Sequence, residues 1–183
     1  MDHSCAPALS RSDICSARLL SSWMRRARSP ASRTEDDNAD ACALWCLAIR
    51  HAILTGELNV RAQLQHIPTE RRARWAGLVD EALEPGAHPR DFQAQNGWVV
   101  RAFQAALAAV AGATSLTDAV ERAIRGGGDT DTVAAIAGSL AGAVFGGSAV
   151  PLEWQLAVHG WSDYRLNDLA RLATLAARGG SDN

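Results

Sequence analysis

"GGGDTDTVAAIAGSLAGAVFGG", residues 126–147, is broken by glycines at both ends and carries between them a run of Ala, Val, Ile, Leu and Phe with no apolar–polar alternation. A half-buried strand alternates with a period of two, so this run reads as a helix entered through a glycine turn. Gly138 and Gly142 lie inside it. Each costs about 1 kcal/mol relative to alanine in a helix, a loss that packing has to offset. Small residues four apart let a neighbouring helix approach closely, which places this helix in the middle of a helical bundle.

The same period continues on both sides. "QNGWVVRAFQAALAAVAGA", residues 95–113, puts Trp98, Val99, Ala102, Phe103, Ala106, Leu107 and Val110 on one stripe, with Asn96 as its N-cap and an end near Gly112. "SLTDAVERAIRGGG", residues 115–128, offers Ser115 as cap and Asp118 where a capping box places Glu. Further out, "DACALWCLAIRHAIL" (40–54) ends at Gly56 as a C-cap, and "PTERRARWAGLVDEAL" (68–83) offers Thr69 as a cap. "DYRLNDLARLATLAARG" (163–179) is amphipathic through Leu166, Leu169, Leu172 and Leu175. No alternating segment of convincing length and no internal repeat interrupts the pattern. The fold class expected is all-α, a compact helical bundle of about six helices with short connections.

Composition narrows the chemistry. The 183 residues suit one domain, and a formal charge of -2 gives no global attraction to nucleic acid or an anionic membrane. All 18 cationic residues are arginine. The absence of lysine excludes Schiff-base catalysis and a Walker loop, leaving carboxylates, histidine, hydroxyls or metal. The apolar runs fall short of the ~18 residues of a membrane span. Cys5, Cys15, Cys42 and Cys46 match no common zinc spacing, so Cys42 and Cys46, on one helix face, read as buried thiols suited to a reducing cytoplasm.

Residues 1–38 differ from the rest, being rich in Ser, Arg, Pro and Ala. They read as a disordered or non-native tail, followed by the domain over 39–179 and a short tail over 180–183. An organelle transit peptide is the lesser reading, since no cleavage signature is clear.

The chemistry gathers at the glycines. A helix C-terminus meeting a helix N-terminus leaves free backbone N–H groups and a positive dipole end. Asp129, Asp131 and Thr132 add hard oxygen donors of the kind Mg²⁺ or Mn²⁺ prefers. A plain helix breaker with ordinary capping residues is the alternative. It needs only one such residue, whereas this loop offers four. His51 and His159 read as surface or satisfied core histidines.

"GGDTDTVAAIAGSLAGAVFG" followed by "VPLEW" closely resembles the C-terminal signature of the ADP-ribosylglycohydrolase family, which includes the dinitrogenase reductase-activating glycohydrolases. The likeness extends back through "NGWVVRAFQAALAA" to "ADACALWCLAIRHAILTGEL", covering roughly residues 38 to 178. It implies a partial ADP-ribosylglycohydrolase fold and a hydrolase that removes ADP-ribose from a modified protein or small acceptor. Two Mg²⁺ or Mn²⁺ ions serve the complete family site, with a metal-activated water in place of a side-chain nucleophile.

Carried over by position, Asp129, Asp131 and Thr132 are the metal ligands that the resemblance implies, and Gly127 and Gly128 are where a diphosphate-bearing ligand approaches the backbone. Asn96, Gly97 and Trp98 fall at the cleft rim, with Trp98 read either as an adenine-stacking indole or as a core tryptophan. Family enzymes also carry an earlier half with a Thr-Asp-Asp-Thr motif, for which this chain shows no counterpart. "RTEDDNAD" (33–40) holds Thr34, Asp36 and Asp37, yet its place fits a later family segment, usually Thr-His, with Glu35 in the histidine's position. The expectation is therefore an incomplete hydrolase, partnered by an ADP-ribosylated substrate and by a separate N-terminal half. A non-catalytic remnant or interaction module binding metal or ADP-ribose weakly is the alternative.

Overall fold

The computed structural model describes residues 33–177. Those up to Val150 and those from Pro151 onward belong to two compact units. The first holds α1 (Arg33–Thr55), α2 (Thr69–Ala82), α3 (Val99–Ala111), α4 (Leu116–Gly126) and α5 (Thr130–Phe145), with 3-10 turns at Arg61–His66, Pro89–Phe92 and Gly147–Ala149. The second holds α6 (Leu152–Ala157), a 3-10 turn at Trp161–Asp163, and α7 (Leu166–Ala177). Among the described residues no strand forms, and the molecule is all-α.

Local signals set several helix ends. Gly56 stops α1 in the left-handed conformation, φ 76°, and its N–H donates to the carbonyl of Ala52 at 2.7 Å. Ser115 Oγ accepts the N–H of Asp118 at 3.0 Å, while the Asp118 carboxylate accepts the N–H of Thr114 at 2.9 Å and closes the start of α4. At α2 the residue in the N-cap position is Pro68, so Thr69 is already helical and caps nothing. Helix α1 starts at Arg33, which draws residues 33–38 out of the expected tail. The rest of that tail, Cys5 and Cys15 with it, and residues 178–183 lie outside the described residues.

The helix at the centre of the first unit is α3, not α5. Ten of the thirteen residues of α3 are buried, among them Gln104, and the helix packs against α1, α2, α4, α5 and the Pro89–Phe92 turn. A helix apolar nearly all round belongs inside. By contrast α5 buries only Val133, Ala137, Leu140 and Ala141. A Cβ added at Gly142 would have no neighbour within 4 Å, so the small face of α5, which meets Val120 of α4 at Gly138, is open at Gly142.

Aromatic rings tie the unit together. Trp45 of α1 and Trp75 of α2 both pack in T-shaped arrangements with Phe103 of α3, each at 5.3 Å between centroids. Trp75 is wholly buried, and its indole N–H donates to Asp40 at 2.9 Å, which satisfies the one polar atom that burial would otherwise penalise. In the second unit, Leu169 and Leu172 of α7 remain 47% and 48% exposed.

Candidate functional site

Helix α4 runs into Gly126, which is pressed against the Pro89–Phe92 turn: a Cβ there would come 2.7 Å from Pro89 Cβ. Gly127 and Gly128 follow at φ 82° and 73°, left-handed values that L side chains rarely adopt. Asp129 occupies the N-cap position of α5 at φ -79°, ψ 71°, and its side chain caps nothing. The N–H of Thr130 reaches the carbonyl of Gly128 at 3.0 Å, so Asp129 is the centre of an inverse γ-turn.

Asp131 and Thr132 are exposed on the first turn of α5, and Asp129 is half-buried. The Asp131 carboxyl is held below the ordinary carboxylate range, first by a hydrogen bond with the Asp129 carboxyl and then by the backbone N–H groups of Thr132 and of Asp131 itself. The two carboxylates therefore lie within hydrogen-bond reach of each other at the start of the helix.

Asn96 does not cap α3; Trp98 fills that position without a side-chain bond. Instead Asn96 is 4% exposed and reaches across to the glycine loop. Its Nδ2 donates to the carbonyl of Gly127 at 2.9 Å, and its Oδ1 accepts the N–H of Asp129 at 2.9 Å. Gly128 is bare for this reason, since a Cβ would lie 2.4 Å from Asn96 Oδ1; over Gly127 a Cβ would meet the Gln93 amide at 2.7 Å. Gly97 faces the site, with Asp129 Oδ2 3.8 Å from where its Cβ would be. Trp98 is 38% exposed and so is not a core tryptophan. Local pattern reading missed Gln93 and the cross-chain role of Asn96, because both depend on contacts with residues more than thirty positions away.

A small apolar groove of about 180 Å³ runs between α1, α3 and α5. It is lined by Trp45, Phe103, Val99, which follows Trp98, and Ile136, one turn beyond Thr132. Cys42 and Cys46 also line it and are exposed, not buried: the face of α1 on which they sit is left uncovered by α3 and α5.

The "RTEDDNAD" carboxylates are engaged elsewhere. Arg71 of α2 meets Asp36 at 2.9 Å, Asp37 at 2.8 Å and Asp40 at 2.7 Å, one guanidinium nitrogen to each, and Arg74 also pairs with Asp37. Burial pushes the Asp40 carboxyl above its ordinary value, outweighing the pull of Arg71 and of the Trp75 hydrogen bond. Among the described residues no group of three or more His, Cys, Asp and Glu side chains is placed to hold a metal ion. His159 is exposed, and His51 is half-buried with an unpartnered Nε2.

Comparison with known proteins gives this geometry a context. The ADP-ribosylglycohydrolase family model matches residues 7–182. The chain is 32% identical over 146 residues to the ADP-ribosylarginine hydrolase Tri1 of Pseudomonas putida (strain GB-1), a match covering 80% of this chain and 38% of that protein. It is 49% identical over 45 residues to the ADP-ribosylhydrolase ARH3 of Danio rerio, covering 25% of this chain and 12% of that one, and 42% identical over 50 residues to ARH3 of Xenopus tropicalis, covering 27% and 14%. No solved structure matches. The chain thus spans well under half the length of the curated relatives it matches.

Proposed function

The chain belongs to the ADP-ribosylglycohydrolase family, and we propose that it supplies the Asp129–Thr132 metal-holding part of a hydrolase that removes ADP-ribose from a modified protein or small acceptor. The observation that carries this reading is the Asp129 carboxylate at the start of α5, which caps nothing and lies past Gly97, with Asp131 and Thr132 exposed on the turn that follows. Like charges at such range repel unless a proton or a cation lies between them.

The donor set suits Mg²⁺ or Mn²⁺. Both acids and the Thr132 hydroxyl are hard oxygen donors, and neither acid is paired with an arginine among the ion pairs of the described residues. An ion bound there would stabilise charge developing as the glycosidic bond breaks and would polarise the attacking water. Around it the chain's own residues have distinct tasks. Gly97 keeps the approach to Asp129 free of a side chain, and Trp98 offers a part-exposed indole on which a base can stack. Since the longer match is to a hydrolase of ADP-ribosylarginine, a modified arginine is the acceptor to try first.

A second reading, a non-catalytic module binding metal or ADP-ribose weakly or pairing with a separate N-terminal half, is favoured by one observation. Among the described residues no third His, Cys, Asp or Glu side chain joins Asp129 and Asp131 in a group placed to hold a metal ion, whereas a two-ion centre has two cations to hold. Isothermal calorimetry with Mn²⁺ tests what both readings share. The chain is expected to bind Mn²⁺ weakly, and Asp131→Asn to bind it several-fold more weakly. Equal affinity in the two proteins would leave the loop as a helix start and nothing more.

A further inference from the structure

We propose that Asn96 is a positioning residue that sets the orientation of Asp129, an inference that rests on the reading of Asp129 as a metal ligand. A carboxylate in the N-cap position ordinarily turns back to accept an N–H of its own first turn. Asp129 does not do so. Asn96 Oδ1 accepts the N–H of Asp129 itself, and Asn96 Nδ2 holds the carbonyl two residues earlier, at Gly127. One planar amide thereby grips the loop at both ends of Gly128 and fixes the inverse γ-turn whose centre is Asp129. The carboxylate is left pointing past Gly97, with Oδ2 3.8 Å from the position of an added Cβ.

The local backbone is built around this grip. Gln95, immediately before Asn96, is held at φ 64°, a strained value for a residue other than glycine, between turns in which Asn96 N–H bonds the carbonyl of Gln93 and Trp98 N–H bonds that of Gln95. Gly128 has to be glycine twice over, for its φ of 73° and for the 2.4 Å approach of Asn96 Oδ1. A strained turn and a side-chain-free loop converge on one amide. The amide also occupies the Asp129 N–H that an anion at this loop would otherwise take, so the loop is arranged to present a carboxylate outward.

A residue with a purely stabilising role would, when replaced, lower the melting temperature without changing what the folded site does. Asn96→Ala is the direct variant. Asn96→Ser leaves room for a water to satisfy both loop groups and keeps the fold measurable should Ala not. Two readouts are taken on the full chain well below its melting temperature: amide hydrogen exchange by NMR, and Mn²⁺ affinity by calorimetry. Exchange at the Asp129 amide is expected to accelerate at least about tenfold while the Leu140 amide in the same helix is unchanged, with Mn²⁺ affinity falling by about tenfold or more in both variants. Unchanged exchange at Asp129, acceleration spread evenly along α5, or undiminished Mn²⁺ affinity in the folded variants would overturn the proposal. If the unmutated chain binds no Mn²⁺, the metal reading of Asp129 falls, and the exchange at Asp129 alone decides whether Asn96 orients it.

Discussion

At Gly128 two constraints act on one residue, a left-handed φ and an Asn96 oxygen where a Cβ would stand. Gly128→Ala is expected to destabilise the chain by about 1–3 kcal/mol, the range for a strained backbone position, read from urea unfolding. Asp40 offers a pH signature of a different kind. Its folded-state carboxyl lies above the ordinary 3.8 because burial disfavours the charged form. In the window above 3.8 the native state therefore binds more protons at this residue than the unfolded chain does, so its contribution to stability falls as pH rises through that window. Asp40→Asn removes the titration while keeping an acceptor for the Trp75 indole. The stability of the unmutated chain minus that of the variant is expected to decline from pH 4 upward and then level off. A difference that instead grows over that range would show that Arg71, and not burial, dominates.

The elements differ in how much of their role is local. Ser115 was legible because its cap acts across three residues, and Gly56 because its C-cap acts across four. Asn96 looked like another cap from the same kind of pattern, yet its partners lie 31 and 33 positions away, and no periodicity encodes a contact that only the packed bundle creates. The identity of the loop acids and their closeness on one turn were readable, because both follow from positions two apart; the contacts of Asn96 that hold the turn were not. Helix centrality was misjudged for a related reason: small residues fit both a crowded helix interface and an uncovered face, so sequence does not separate α5 from α3. Structure does, and it gives a prediction. Gly142 has open space where a Cβ would go, and Gly138 meets only Val120 Cγ2 at an ordinary 3.7 Å. Gly142→Ala and Gly138→Ala are each expected to stabilise the chain by about 0.5–1 kcal/mol through helix propensity and unfolded-state entropy. Thermal unfolding checks this. A loss of stability at Gly142 would mean that a close-packed neighbour covers that face in solution.

For the molecule as a whole, the question is how far one loop can go toward a reaction. Two-ion hydrolysis needs metals about 3.5–4 Å apart, each with enough donors to hold a water in place. Asp129, Asp131 and Thr132 sit on a single turn, and the other carboxylates that the sequence offered, Asp36 and Asp37, are neutralised by Arg71 and Arg74. Asp37 is almost fully buried and is held by both guanidinium groups, and stripping both from it would leave a buried unpaired charge, so the cluster is not cheaply turned over to a metal. The relative with the longer match extends well beyond the aligned region, since the match covers 38% of its length. We therefore expect no measurable release of ADP-ribose from an ADP-ribosylated arginine substrate by this chain with Mg²⁺ or Mn²⁺, and recovery of release when a separately expressed N-terminal segment of a longer relative is added. Product is followed by chromatography, with Asp129→Ala as the control. Turnover by the chain alone that disappears in Asp129→Ala would place the remaining ligands within these 183 residues and make Asp36 and Asp37 the first to test.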